Sequence, residues 1–346
     1  QVPPRCKLLC SWQDRLVMAR ALGSQSIYFP EKGEPQGWDF FPNIPTPKQA
    51  FDLSLKNSRG SVPDVVQALG RINDDLLVVG CQTSMHRLTG DPALGGVIHQ
   101  ITDAIGCAFG RSICSDEKGN IYFASFPEPG VWAMGPGALT PVSITETRIL
   151  NDLGTIDWAT STIEIVWDPQ RDGLWLFQIP YANPGTALQR WFWDRQMNAW
   201  WPDTDKVTTM APTALAYLNA DTQTHRGLLL GCSDGYLRIL DDDAHNDDGS
   251  AIESEILLGP LAPASLGTEL TFADLSAVLA TEQDGVGFEV YATNDPSFLG
   301  PPAASGYLER GRGDAQNCRG TGAYVAVKLK NFSTSERWAL EDVSIE

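Results

Sequence analysis

One short pattern constrains the fold of this chain more than any other feature: two apolar strands joined by a polar turn. In LLLGCSDGYLRILDDD, residues 228–243, a mostly apolar run precedes a Ser-Asp-Gly turn and an alternating second strand, which is typical of a β-hairpin. Hairpins of this kind start at Leu16, Leu76, Ile121, Leu174 and Leu228, and more loosely at Val286. The starts lie roughly 50 residues apart, so the hairpin is one copy of a repeat.

Repeats of this length are typical of four-stranded blades arranged around an axis. The nearly continuous apolar run from Leu174 to Ile179 also indicates a sheet that is covered on both faces, as a blade is by its two neighbours. We therefore predict an all-β fold, a β-propeller of about six irregular four-stranded blades whose first blade can be incomplete at the N-terminus. A two-sheet sandwich is the structural alternative.

We expect one propeller domain over residues 1–346. Residues 256–346 are expected to form the closing blades, with a long Gly- and Pro-rich loop near residues 300–320 that suggests an interface. The helical signal is weak, and only SVPDVVQALGRI, residues 61–72, predicts one or two helical turns.

The charge balance argues against tight binding of nucleic acid. The formal net charge is −18, from 25 Lys and Arg against 43 Asp and Glu, whereas a grip on duplex DNA needs clustered cations. An acidic surface does allow DNA to slide past without sticking. No run of apolar residues is long enough to predict a membrane span. The seven cysteines include no Cys-x-x-Cys pair, so they are read as buried thiols of a protein assembled in a reducing cytoplasm.

The densest group of carboxylates follows the hairpin at Leu228. Its members are Asp241, Asp242, Asp243, Asp247 and Asp248. The order of an EF-hand loop is absent because His245 and Asn246 fall out of register, so a solvated loop is favoured over a calcium site. We expect these aspartates to face either a channel or a boundary between subunits.

Aromatic residues crowd the stretch RWFWDRQMNAWW. Its tryptophans are Trp191, Trp193, Trp200 and Trp201. They could form a contact surface for sugars or single strands. Large rings wedged between blades are the simpler interpretation, and we favour core packing.

No motif predicts catalysis, a resident metal or a cofactor. The histidines lack metal-ligand spacing, and neither a phosphate-binding loop nor a nucleophile elbow occurs. Residues 115–123, SDEKGNIYF, echo the Asp-box turn of sialidase propellers, but that turn is structural even there. The expectation is a protein without enzymatic activity.

Four segments, in this order, resemble one known family: WQDRLVMA, IYFPEKGEPQGWDFFP, INDDLLVVGCQTSMHRLTG and ITDAIGCAFGRSICSDEKGNIYFASFPEPGVWAM. Together with the closing segment RGTGAYVAVKLKNFSTSERWALEDVSIE, they resemble the β-propeller tail hub proteins of short-tailed bacteriophages. That group includes nozzle (tail tubular protein B-like) and packaged-DNA stabilisation proteins. The resemblance is one of pattern and carries no catalytic or binding signature.

The resemblance implies a structural virion protein of the phage tail, assembled in the host cytoplasm. Several copies, a hexamer in the family, would form a ring that extends the portal and adaptor channel and helps retain and release the genome. Adaptor proteins and fibres or a needle would be its partners, and DNA would pass without specific binding. The alternatives are a carbohydrate-binding propeller and, less favoured, a propeller glycosidase.

Overall fold

The structure is a computed structural model, and part of the chain lies outside the residues that it describes. It describes residues 3–20, 25–44, 46–53, 62–138, 140–182, 189–204, 211–222, 225–241, 244, 246–247, 249–251, 254–262, 269–280, 285–315, 318–331 and 338–345. The chain divides into two compact units, Gln1–Leu240 and Asp241–Glu346, here called the first and the second unit.

In the described residues the first unit contains five antiparallel sheets, each built from strands that follow one another in the sequence. Blade 1 contains β1 (Leu8–Trp12), β2 (Arg15–Ala19), β3 (Ile27–Phe29) and β4 (Phe51–Leu53). Blade 2 contains β5 (Val66–Asn73), β6 (Leu76–Cys81), β7 (Met85–Thr89) and β8 (Val97–Thr102). Blade 3 contains β9 (Ile113–Ser115), β10 (Ile121–Ser125), β11 (Gly130–Met134) and β12 (Val142–Ser143).

The last two sheets of the unit follow the same order. Blade 4 contains β13 (Ser161–Asp168), β14 (Gly173–Pro180), β15 (Gln189–Asp194) and β16 (Ala199–Thr204). Blade 5 contains β17 (Pro212–Leu218), β18 (Gly227–Cys232) and β19 (Leu237–Ile239). In the part of the unit that the structure describes, two short helices interrupt the strands, a 3-10 helix at Pro92–Leu94 and α1 at Thr147–Gly154. Among the described residues, no helix is long and apolar enough to cross a membrane.

The first strands of the blades lie side by side. β1 contacts β5, β5 contacts β9, β9 contacts β13, and β13 contacts β17. Such a row of inner strands, each followed outward by the rest of its own sheet, is the arrangement of a propeller. The prediction of an all-β propeller fold is confirmed. Blade 1 has four strands in the described residues, so it does not show the expected shortening, and it is blade 5 that has three.

Strand β14 shows why the strands of the repeat are apolar at nearly every position. Leu174 and Leu176 enter the core that blade 4 shares with blade 3, whereas Trp175, Phe177 and Ile179 enter the core that it shares with blade 5. Alternate side chains of a strand point to opposite faces, so a sheet between two neighbours needs apolar residues at every position.

Gly106 lies where the chain passes from blade 2 to blade 3. A Cβ atom at this position comes 1.8 Å from the carbonyl oxygen of Gln82, so a side chain cannot fit without a shift of the backbone. We expect Gly106→Ala to lower the free energy of unfolding by about 1–3 kcal/mol, measured by urea unfolding of the full chain. At Gly154 an added Cβ meets nothing within 4 Å, and Gly154→Ala is the control, with an expected change below about 0.5 kcal/mol. Equal effects of the two substitutions contradict this prediction.

The second unit is also built from strands. They are β20 (Asn246–Asp247), β21 (Ser250–Ala251), β22 (Glu255–Leu261), β23 (Leu270–Phe272), β24 (Leu275–Leu279), β25 (Val286–Thr293), β26 (Ala304–Leu308), β27 (Arg312–Ala315), β28 (Gly320–Gly322), β29 (Tyr324–Lys330) and β30 (Leu340–Ile345). One sheet has the order β22-β29-β25-β26 and another the order β27-β24-β30, while β23 pairs with β28 and β20 with β21. Buried residues of β24, β25 and β29 belong to one core.

Three expectations about local and domain structure differ from what is observed. Residues 241–346 form a compact unit of their own whose strand order is not sequential, whereas the sequence predicts one domain over residues 1–346 with closing blades over residues 256–346. The loop expected near residues 300–320 contains strands β26 and β27. Most of residues 61–72, expected to turn helically, lies in β5, which is held by its pairing with β6. Apolar alternation identifies strands, but it does not say which strand pairs with which.

Candidate functional site

A cavity of about 830 Å³ lies among the inner strands of the first unit. All five blades contribute to its wall, which includes Leu9 of β1, Leu69 of β5, Ile113 of β9, Glu164 of β13 and Thr213 of β17. Because the first strands of all five blades border it, we call this space the axial cavity. It is the candidate functional site.

Backbone hydrogen bonds connect neighbouring blades along the wall of the axial cavity. The amide of Gly110 donates to the carbonyl oxygen of Gln67 at 3.0 Å, which links blades 2 and 3. The amide of Ile165 donates to the carbonyl oxygen of Arg111, also at 3.0 Å, which links blades 3 and 4. These bonds satisfy buried polar groups and fix the spacing of the inner strands.

Charged side chains in the cavity meet at one residue of β17. Nη1 of Arg111 donates to the Leu215 carbonyl oxygen at 2.9 Å, and Oε2 of Glu164 accepts from the Leu215 amide at 3.2 Å. Burial raises the pKa of Glu164, and the charge of Arg111 opposes that rise. The two charges therefore join blades 3, 4 and 5 at the axis.

A smaller pocket of about 180 Å³ adjoins the axial cavity and shares Phe109, Thr162 and Tyr181 with it. The guanidinium carbon of Arg20 lies 4.1 Å from the centre of the Phe109 ring, within the range of a cation–π contact. Nη1 of Arg20 also donates to the side chain of Gln67. Arg20 thus brings a positive charge from blade 1 to the same region.

The predicted acidic segment does not contribute to this site in the described part of the chain. Asp241 is exposed and does not line the axial cavity. Asp242, Asp243 and Asp248 lie outside the described residues, and Asp247 is described only through its backbone in β20. The expectation that these aspartates face a channel or a subunit boundary stays a prediction.

The four tryptophans do not form one surface. Trp191, Trp193 and Trp200 are buried in the core between blades 3 and 4, and only Trp201 is exposed, at 53%. Trp193 pairs with Trp200 across β15 and β16, so these two rings share a face of the sheet and Trp201 takes the opposite one. An aromatic contact surface therefore reduces to a single exposed ring, while core packing describes the other three.

Asp116 lies in the segment that resembles an Asp-box, and its carboxylate stabilises a turn. Its Oδ1 accepts from the amides of Lys118 and Asn120 at 2.9 and 2.8 Å, and its Oδ2 lies 3.1 Å from Nη1 of Arg195 in blade 4. Burial beside this carboxylate raises the pKa of Tyr122 to about 12. The sequence located the turn, but it did not show that an arginine from the next blade completes it.

His86 on β7 is buried, with Nε2 3.1 Å from Oγ of Ser84. Burial lowers the pKa of His86. The unfolded chain, with a His pKa of about 6.5, takes up a proton at higher pH than the folded chain, so the contribution of neutral His86 is complete above that pH and is lost below it.

We therefore expect the free energy of unfolding to decrease as the pH falls from about 7 to about 5. His86→Gln is expected to reduce this decrease, whereas the same change at the exposed His99 leaves it as it is; urea unfolding at each pH measures both. An unchanged pH dependence in the His86 variant contradicts the assignment.

Within the described residues, no three His, Cys, Asp or Glu side chains lie close enough together to hold a metal ion. The cations of the axial cavity and of the pocket that adjoins it were not singled out from the sequence as a group. Lys7, Arg20 and Arg111 are far apart along the chain, and only the assembly of five inner strands brings them to one region.

The chain matches no protein-family model and no curated protein. Among solved structures it is similar to a nidogen/laminin complex, with 15% identity, a TM-score of 0.38 and coverage of 62% of this chain and 69% of that chain. It is also similar to YCF48 bound to D1 peptide, with 13% identity, a TM-score of 0.40 and coverage of 69% and 67%. A structure described as a glycoside hydrolase has 9% identity, a TM-score of 0.31 and coverage of 98% and 96%. With scores this low, nothing about function follows, and the propeller assignment rests on the strand order described above.

Proposed function

We propose that the chain is a structural subunit of the tail of a short-tailed bacteriophage, in the position of a tail hub or nozzle. The observation that carries the proposal is where the family-like segments fall in the fold. WQDRLVMA begins at the last residue of β1 and covers the turn and β2, and LLVVGCQTSMHRLT spans β6 and β7. The segment from ITDAIG to GVWAM contains β9, β10 and β11. The resemblance therefore follows the hairpins that build successive blades.

The contacts of the turn carboxylates support a scaffold role. Asp116 and Asp168 both accept hydrogen bonds from the backbone of their own turns and from an arginine. A carboxylate that is committed to four or more donors is suited to holding a rigid turn. Rigid blades with long connecting loops are what an assembly subunit needs in order to present surfaces to its neighbours.

The size of the axial cavity bears on the proposed path of DNA. At about 830 Å³ it is in the range of small-molecule sites, so the propeller axis of one subunit has no room for a duplex. We propose that DNA passes instead along an axis between several copies of the chain. The net charge of −18 would keep that surface from holding the phosphates.

Immunogold electron microscopy on particles from the source culture tests the proposal. With an antibody raised against this chain, we expect gold at one vertex or at the tail of phage-like particles. Preimmune serum and an antibody against the main capsid protein are the controls, the latter labelling the whole shell. Gold on cells or in free solution, but not on particles, contradicts the proposal.

Assembly of the purified full chain provides a second test, read by mass photometry with and without its adaptor ring. We expect a closed ring, a hexamer by resemblance to the family. A variant with Asn at positions 241, 242, 243, 247 and 248 should change ring assembly or genome retention. The control neutralises five exposed carboxylates elsewhere, namely Glu34, Asp39, Glu117, Asp221 and Glu269. If the first variant behaves like the control, the acidic segment has no role at a channel or a boundary.

A further inference from the structure

We propose that the axial cavity binds a small ligand that carries both a carboxylate and hydroxyl groups, as a sugar acid does. The inference concerns a site within one subunit and does not depend on the proposed place in a phage tail. It rests on the size of the cavity, on the sign of its charge, on its hydrogen-bond acceptors and on its exposed apolar wall.

The size of the cavity fits a small molecule. Ligand sites in proteins usually occupy about 300–1,000 Å³, and the axial cavity has about 830 Å³. Its wall comes from five separate strands, and hydrogen bonds hold those of blades 2 to 5 at fixed spacing. A site of this kind is formed before the ligand arrives, which lowers the entropy cost of binding.

The sign of the charge selects an anion. Lys7 and Arg111 line the cavity, Arg20 lies in the adjoining pocket, and Glu164 is the acidic side chain among the lining residues. This excess of cations occurs in a chain whose net charge is −18. Lys7 has no hydrogen-bond or ion-pair partner among the described residues, and the single hydrogen bond of Arg111 to Leu215 uses one of its five donors. The remaining donors suit a carboxylate, for which charge-assisted hydrogen bonds are strong.

Two hydroxyl groups of the wall already donate their protons to the backbone. Oγ1 of Thr162 donates its proton to the carbonyl oxygen of Phe109 at 2.6 Å, and Oγ1 of Thr213 donates to that of Gly231 at 2.9 Å. Each oxygen keeps a lone pair that can accept. Together with Glu164, they provide acceptors for O–H donors, so the ligand needs hydroxyl groups beside its carboxylate.

Two large side chains of the wall are exposed, although others, such as Ile165 and Ile179, are buried. Leu9 is 60% exposed and Tyr181 is 54% exposed, although both line the cavity. A ligand with a ring face removes this surface from water, and the gain is about 25 cal/mol for each Å² covered. The carboxylate and hydroxyl groups then fix its orientation.

Isothermal titration calorimetry on the full chain tests the proposal with D-glucuronate, D-glucose and acetate as probes. Glucuronate is expected to bind at least ten times more tightly than either of the others, because glucose lacks the carboxylate and acetate lacks the hydroxyl groups. Its affinity should fall with rising salt, since an ion pair is screened. Equal affinity for glucose, equal affinity for acetate, or no binding of glucuronate at millimolar concentration overturns the proposal.

Two variants locate the binding. Leu9→Trp fills part of the cavity from an exposed position, and Lys7→Met removes a cation that has no partner among the described residues. Each is expected to weaken glucuronate binding at least tenfold while the circular dichroism spectrum is unchanged. The matched controls, Leu94→Trp and Lys118→Met, change exposed residues outside the cavity and should bind as the parent does. If all four variants bind alike, the ligand does not occupy the axial cavity.

Discussion

Replacing Trp191 by alanine is expected to lower the free energy of unfolding by about 3–5 kcal/mol, since a large buried ring is lost from a packed core. Trp191 is 1% exposed and lies in the core between blades 3 and 4. Its Nε1 also donates to Oδ2 of Asp152 at 3.2 Å, so the substitution removes a hydrogen bond as well as packing. Urea unfolding of the full chain, followed by circular dichroism, measures the change.

Trp201→Ala is the matched control. This ring lies on the next strand of the same blade but is 53% exposed, and we expect a change within about 0.5 kcal/mol. The pair of variants also separates the two interpretations of the Trp-rich stretch, because a binding surface depends on exposed rings and a core depends on buried ones. A larger loss from Trp201→Ala than from Trp191→Ala contradicts the core interpretation.

Asp168→Ala is expected to lower the free energy of unfolding by about 3–5 kcal/mol. We expect a value near the lower end of this range, because the partner of Asp168, Arg171, is partly exposed to water. The Asp168 side chain is fully buried and Arg171, 18% exposed, lies 2.6 Å from it. The same carboxylate accepts from the amide of Gln170 at 3.0 Å and from Nε1 of Trp175 at 3.2 Å. Its removal leaves a charge and several donors without their acceptor. Urea unfolding again gives the magnitude.

The control for this substitution is an ion pair with the same spacing on the surface. Asp74 and Arg71 lie 2.8 Å apart and are also three residues apart, but their side chains are 78% and 48% exposed. Exposed pairs contribute about 0–1 kcal/mol, so Asp74→Ala should have a small effect that shrinks further in salt. Similar losses from the two variants show that burial does not set the strength of the Asp168 interaction.

The strands of the first unit could be predicted from the sequence because each blade is local. Polar turns such as Asp172-Gly173 sit between apolar runs that pair with each other directly, and the structure has β13 and β14 joined at that turn. Helix α1 was missed because its only signal is Ile149 and Leu153, one pair of buried residues four apart. The division into two units was not predicted either. Side chains alternate along a strand in the same way in a blade and in the sheets of the second unit, so the pattern does not distinguish them.

The candidate site was harder to predict from the sequence than the fold. Glu164 and Arg111 have nothing unusual in their neighbouring sequence, and their relation appears only when both bind the backbone of Leu215. The tryptophans show the reverse: they form an obvious cluster in the sequence, but the structure buries three of them and exposes the fourth. Which face of a strand is covered depends on its neighbours across the sheet and across the core, and single-sequence patterns do not carry that information.

The different strand orders of the two units have a consequence for the order of events during synthesis. Each blade of the first unit pairs strands that follow one another, so its sheets can close one at a time as the chain leaves the ribosome. In the second unit Glu255 of β22 pairs with Lys330 of β29, and β24 pairs with β30 at the end of the described chain. Those sheets can close only after almost the whole chain has been made. Until β29 has been made, the edge of β22 has no strand to pair with, and this exposed edge can pair with strands of other chains.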